Sequence, residues 1–161
     1  MKTSLLFVAV LAATANAGGQ PGSIGLGAEY QLSGIGGVSL TYDGGAFHAG
    51  GAIGFADPAG TDNTQFQLEG RFYYHVHHTA FADFGLGGSL GFNTVGNGPN
   101  MDRTTEVFLQ PGFEIRAFLS SNVALSAAGG IVIGLADADG VALTGQSFGA
   151  AGGIGLHYYF F

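Results

Sequence analysis

The stretch 64–74, TQFQLEGRFYY, alternates with period two. Phe66, Leu68, Gly70, Phe72 and Tyr74 fall on one side, and Gln65, Gln67, Glu69, Arg71 and Tyr73 on the other. Successive side chains of a strand point to opposite faces, so period two is strand geometry. The stretch 105–119 repeats the pattern: Val107, Leu109, Pro111, Phe113, Ile115 and Ala117 alternate with Glu106, Phe108, Gln110, Gly112, Glu114 and Arg116. A half-buried strand of a soluble sheet alternates in the same way. The weight therefore lies on how often the pattern recurs and how little charge accompanies it. Charged residues make up 9% of the chain, against roughly 25% in a typical soluble domain. That is too few to furnish the solvent faces of many strands. The expected fold class is all-β: a single eight-stranded antiparallel up-and-down transmembrane β-barrel, apolar outside and polar inside.

The eight strands are expected at 24–32, 38–42, 46–55, 64–74, 80–92, 105–119, 123–135 and 146–161. No segment shows a helical period. The connections at 43–45, 75–79 and 120–122 are short. Those at 56–63, 93–104 and 136–145 are longer and polar, and 33–37 is a short exception. Short turns on one side and long loops on the other are the asymmetry of an outer-membrane barrel, with both termini on the short-turn, periplasmic side. Nine residues at about 3.3 Å each, tilted near 40°, rise about 23 Å, close to the roughly 25 Å apolar band of such a barrel. Pro111 lacks a ladder donor, so a bulge or irregularity is expected there.

The chain begins MKTSLLFVAVLAATANA. A charged Lys2, an apolar run too short to span a bilayer and the small-x-small set Ala15-Asn16-Ala17 read as a secretory signal peptide over 1–17. The remainder, 18–161, is about one domain in size. There is no Cys, which excludes a disulfide scaffold or a thiolate metal site. Beyond Lys2 the basic side chains are Arg71, Arg103 and Arg116, against 11 acids. That balance argues against nucleic acid or anionic lipid headgroups as partners.

The last stretch, SFGAAGGIGLHYYFF, carries a family resemblance. Ile154, Leu156, Tyr158 and Phe160 alternate with Gly153, Gly155, His157 and Tyr159, and Phe161 follows. Gly155, Tyr158, Phe160 and Phe161 together resemble the C-terminal β-signal of bacterial outer-membrane proteins. With the strand pattern, the chain resembles the small eight-stranded bacterial outer-membrane β-barrels of the OmpA-transmembrane, OmpX and OmpW-like type. The resemblance implies export to the outer membrane, insertion by the barrel-assembly machinery, contact with outer-membrane lipid and a monomeric state. It implies no catalysis and no cofactor.

An eight-stranded barrel is just wide enough for its interior to be filled by side chains. The parity above points Glu29, Ser39, Thr41, His48, Gln65, Gln67, Glu69, Arg71, Asp83, Gln110, Glu114, Arg116 and His157 inward. Ten glycines, among them Gly25, Gly27, Gly87 and Gly153, join them. Charged groups inside a barrel must pair or stay hydrated. The expectation is a lumen charge network of Arg71 and Arg116 with Glu29, Glu69 and Glu114. It either plugs and rigidifies the barrel or borders a narrow hydrated path, which the surplus of acids would make cation-preferring.

Other constellations are weaker. His75, His77 and His78 are expected in a polar periplasmic turn, where spacing i, i+2 can also bind a transition metal. Asp137-Ala138-Asp139-Gly140 resembles the start of a calcium loop without its remaining ligands. Asp83, His48 and several Ser suggest hydrolase chemistry, but there is no G-x-S-x-G elbow. The glycines of 85–91 lack the Lys and helix of a phosphate loop and read as strand. The expected function is a structural or surface role in the outer membrane, without catalysis and without a metal. The alternatives are a narrow small-solute or cation pore, and binding through the outer loops.

Overall fold

The computed structural model describes residues 20–31, 35–60, 62–136 and 148–160. Eight strands follow one another: β1 (Ile24–Gln31), β2 (Gly36–Asp43), β3 (Phe47–Ala56), β4 (Gln65–His78), β5 (Ala82–Val95), β6 (Thr104–Phe118), β7 (Val123–Ala136) and β8 (Phe148–Phe160). Each pairs antiparallel with the next, and β1 pairs with β8, so the sheet closes into a barrel. The closing seam runs from Ile24↔Phe160 through Gly27↔His157 to Gln31↔Gly153. Closure leaves no strand edge, which is what a sheet surrounded by lipid requires.

The side chains sort by parity around the whole barrel. Leu26, Leu40, Ile53, Phe72, Leu90, Ile115, Leu125 and Leu156 lie outside and exposed, while Ser39, Glu69, Asp83, Glu114, Arg116 and His157 lie buried inside. This inverts a soluble domain, where exposed large apolar side chains are scattered singly. Aromatic rings collect at both ends of the outer surface, as in the interfacial girdles of membrane barrels. At the rim holding Ile24 and Phe160, Phe47 stacks on Phe72 with centroids 5.3 Å apart, and Tyr158 meets Phe160 edge-on at 5.0 Å. Toward the opposite rim Phe66 and Phe92 lie 5.8 Å apart.

The rim with Ile24 and Phe160 carries the tight connections. Gly44 N–H donates to Phe47 O across the β2–β3 turn, with Gly45 at φ 82°, a value that favours glycine. The β4–β5 turn closes by Thr79 N–H to Ala82 O. The opposite rim carries 57–60, 62–64 and 96–103. Some strands, β4 above all, are longer than the hydrophobic alternation suggests. β4 continues to His78, so the expected turn at 75–79 shrinks to 79–81, and β5 and β6 extend to Val95 and from Thr104, narrowing the loop expected at 93–104. Polar residues continue the ladder past the apolar band, because backbone pairing does not depend on the outer face being greasy.

The irregularity expected at Pro111 is a gap in the ladder: Gln110 and Pro111 have no partner on β7, while Leu109↔Ile133 and Gly112↔Gly130 keep one register on either side. A register shift lies nearby, between Val107 and Phe108. A second shift lies on β4, between His75 and His77. The signal peptide at 1–17, the Asp137–Gly140 motif and Phe161 fall outside the described residues.

Candidate functional site

Among the described residues, titratable side chains gather in the barrel interior. Arg71, on β4, faces Glu29, on β1, in a two-pronged pair: Nη1 donates to Oε2 at 2.6 Å and Nη2 to Oε1. Such a fork matches guanidinium to carboxylate geometry. Glu29 also meets His157 Nε2 at 3.0 Å, and that nitrogen shares a 2.8 Å hydrogen bond with Ser39. Glu69 accepts from Gln67 and Gln31 at 3.2 and 3.3 Å and makes no ion pair with Arg71.

Arg116 is the centre of a second cluster, nearer the rim of tight turns. Its Nη2 lies 2.7 Å from Asp43 Oδ2, 2.6 Å from Asp83 Oδ2 and 3.1 Å from His75 Nε2, and Nη1 donates to Tyr159 Oη at 3.0 Å. Its guanidinium also sits 5.4 Å from the Phe118 ring centroid. Glu114, expected in one network with Arg71, Arg116, Glu29 and Glu69, meets His48 Nε2 at 3.2 Å. The arrangement has a simple cause. Glu114 and Arg116 lie on one face of β6 two residues apart, and each reaches across the lumen to a different strand. Asp83 is the cross-strand neighbour of Arg116. Asp43 ends β2 pointing inward, although the glycines after it suggested a turn residue. It does serve the turn as well, since Gly45 N–H donates to its Oδ1 at 2.8 Å.

His75 was expected in a turn; it is instead a buried residue of β4. Its Nδ1–H donates to Gly45 O at 2.8 Å, and its Nε2 lies 2.8 Å from His48 Nδ1. His78 contacts Asp83 Oδ1. The HVHH run was legible as a histidine cluster, but which histidine joins His75 was not, because a register shift between His75 and His77 decides it.

Among the described residues, side chains crowd the interior. Around Glu29, Glu69, Arg71, Tyr73 and Glu114 a cavity of about 10 Å³ remains, the space of about one water. Apolar groups cover the charges at both ends: Phe118, Ala124 and Tyr159 at one, Ile35 and Phe108 toward the other. The rings fit because glycine stands opposite them. A Cβ at Gly25 would lie 2.9 Å from the Tyr159 ring, and one at Gly27 only 2.3 Å from Leu156 O and 2.5 Å from the His157 ring.

No protein-family model matches this sequence, and neither does any curated protein. Solved structures do match in shape. The N-terminal β-barrel domain of Pseudomonas aeruginosa OprF aligns over 87% of this chain and 98% of its own, with a TM-score of 0.59 at 12% identity. By fold, this chain is a small outer-membrane-type β-barrel. Neisserial surface protein A, NspA, aligns over 86% of this chain and 94% of its own, with a TM-score of 0.49 at 14% identity. At such identities the likeness is one of fold alone.

Proposed function

We propose that this protein is an integral outer-membrane barrel with a structural or surface role, no catalysis and a closed lumen. The filled interior carries the reading. Two arginines bridge strands across the lumen, apolar rings cap the charges, and the cavity beside Arg71 has room for about one water. The belt of exposed Leu, Ile, Phe and Tyr fits lipid and would aggregate in water. The rim of tight turns faces the periplasm in this reading. Gly155, Tyr158 and Phe160 of β8 then form the surface offered to the barrel-assembly machinery, and Phe160→Ser lowers membrane yield more than Phe92→Ser.

A cation-preferring pore is the second reading, because Glu29, Asp43, Glu69, Asp83 and Glu114 outnumber the interior arginines. Conductance of the purified protein in a planar bilayer decides between them. The closed barrel gives no sustained current in concentrated KCl. Steady, cation-selective steps would replace it with the pore.

A further inference from the structure

The end of β4 is built in an unusual way. In a regular strand His75 and His78, three residues apart, point to opposite faces. Here His75 pairs with Gly85, His77 with Phe84 and His78 with Asp83, so Val76 is an extra residue. The bulge brings His78 to the inner side, where His75 and Asp83 already lie, and leaves Val76 and His77 exposed. Bulges are common at barrel rims, where they re-aim side chains. The His75 and His78 rings become nearly parallel, 9° apart, with centroids separated by 6.4 Å.

One donor atom from each of His75, His78 and Asp83 lies within 4.8 Å of the other two. His75 is already in the tautomer a metal needs: its Nδ1–H donates to Gly45 O, which makes Nε2 the basic nitrogen. Metal-binding histidines are oriented by such outer hydrogen bonds. Asp83 presents Oδ1 to His78 while Arg116 holds Oδ2. Asp43 and Asp83 against the single Arg116 leave one negative charge in the cluster when its histidines are neutral. The His78 side chain is 53% exposed, so the set is open at the rim.

We propose that His75, His78 and Asp83 form a binding site for a divalent transition-metal ion of the zinc type, at the rim of tight turns. Two imidazoles and one carboxylate suit such ions and leave a fourth position open. Binding takes His75 Nε2 away from Arg116 Nη2 and His48 Nδ1. Arg116 keeps Asp43, Asp83 Oδ2 and Tyr159. The ion thereby touches the same network that crosses the lumen.

The test is calorimetric titration of Zn²⁺ into the untagged, detergent-purified protein. One Zn²⁺ binds per chain. His78→Gln weakens binding about tenfold or more, at least what the loss of an outer hydrogen bond costs a metal site. His77→Gln, on the outer side of the bulge, leaves affinity unchanged. His78 is half exposed, so its variant folds, and unchanged heat-dependent gel mobility verifies that. Absence of Zn²⁺ binding overturns the proposal. Equal losses in His77→Gln and His78→Gln overturn it as well, since they place the ion on the outer surface of the strand.

Discussion

Arg116 holds two carboxylates from two other strands, whereas Arg71 holds one that also has His157 beside it. The two arginines therefore differ in what their removal strands. Breaking a buried ion pair costs about 3–5 kcal/mol, because the remaining charge stays unpaired. Arg116→Met leaves Asp43 and Asp83 facing each other and lowers the urea-unfolding midpoint in detergent most. Arg71→Met lowers it less, since His157 remains to serve Glu29. Phe72→Leu, which keeps an apolar group on the lipid side, lowers it least. If Phe72→Leu proves worse than Arg116→Met, the in/out assignment of β4 and β6 is wrong. Up to a bulge, the direction of a side chain was legible in the sequence, because period two assigns a face to each residue once a strand is recognised. The pairing was not. Glu114 and Arg116 share a face, and only the stagger of strands around the barrel decides that one meets His48 and the other Asp43 and Asp83.

The elements were legible where apolar residues mark alternate positions and blurred where polar residues continue the ladder. The extra turn of strand at 75–78 is the clearest case. HVHH has no apolar alternation and lies beside a turn, so its sequence reads as loop, while its backbone stays paired with β5 through a bulge. A bulge changes the face of every residue beyond it, which is why His78 and not His77 joins His75. The closing seam of β1 and β8 makes another demand that residue type alone does not announce. Gly27 lies so near Leu156 O that no Cβ fits without moving backbone, whereas the nearest atom to a Cβ at Gly70 is Leu90 O at 4.0 Å. Gly27→Ala thus destabilises by about 1–3 kcal/mol, the usual cost of overpacking, and Gly70→Ala is close to neutral. Urea midpoints of the two variants check this; equal midpoints would mean the seam has more room than its geometry allows.

At the scale of the whole molecule, the scarcity of charge and the recurrence of alternation across eight segments together specified the barrel. No single strand did so. Closure turns the pattern into two environments, an apolar belt outside and a paired polar core inside. The sequence left open whether the lumen is filled or hydrated, because free space depends on how far rings such as Tyr159 and His157 reach over their facing glycines. The central claim is that this inverted surface faces lipid. Fractionation of cells producing the full chain, with gel mobility read before and after boiling, tests it most directly. The account predicts recovery in the outer-membrane fraction and a band whose mobility changes on heating, as the closed barrel unfolds. Recovery as a soluble periplasmic monomer with heat-insensitive mobility would contradict it.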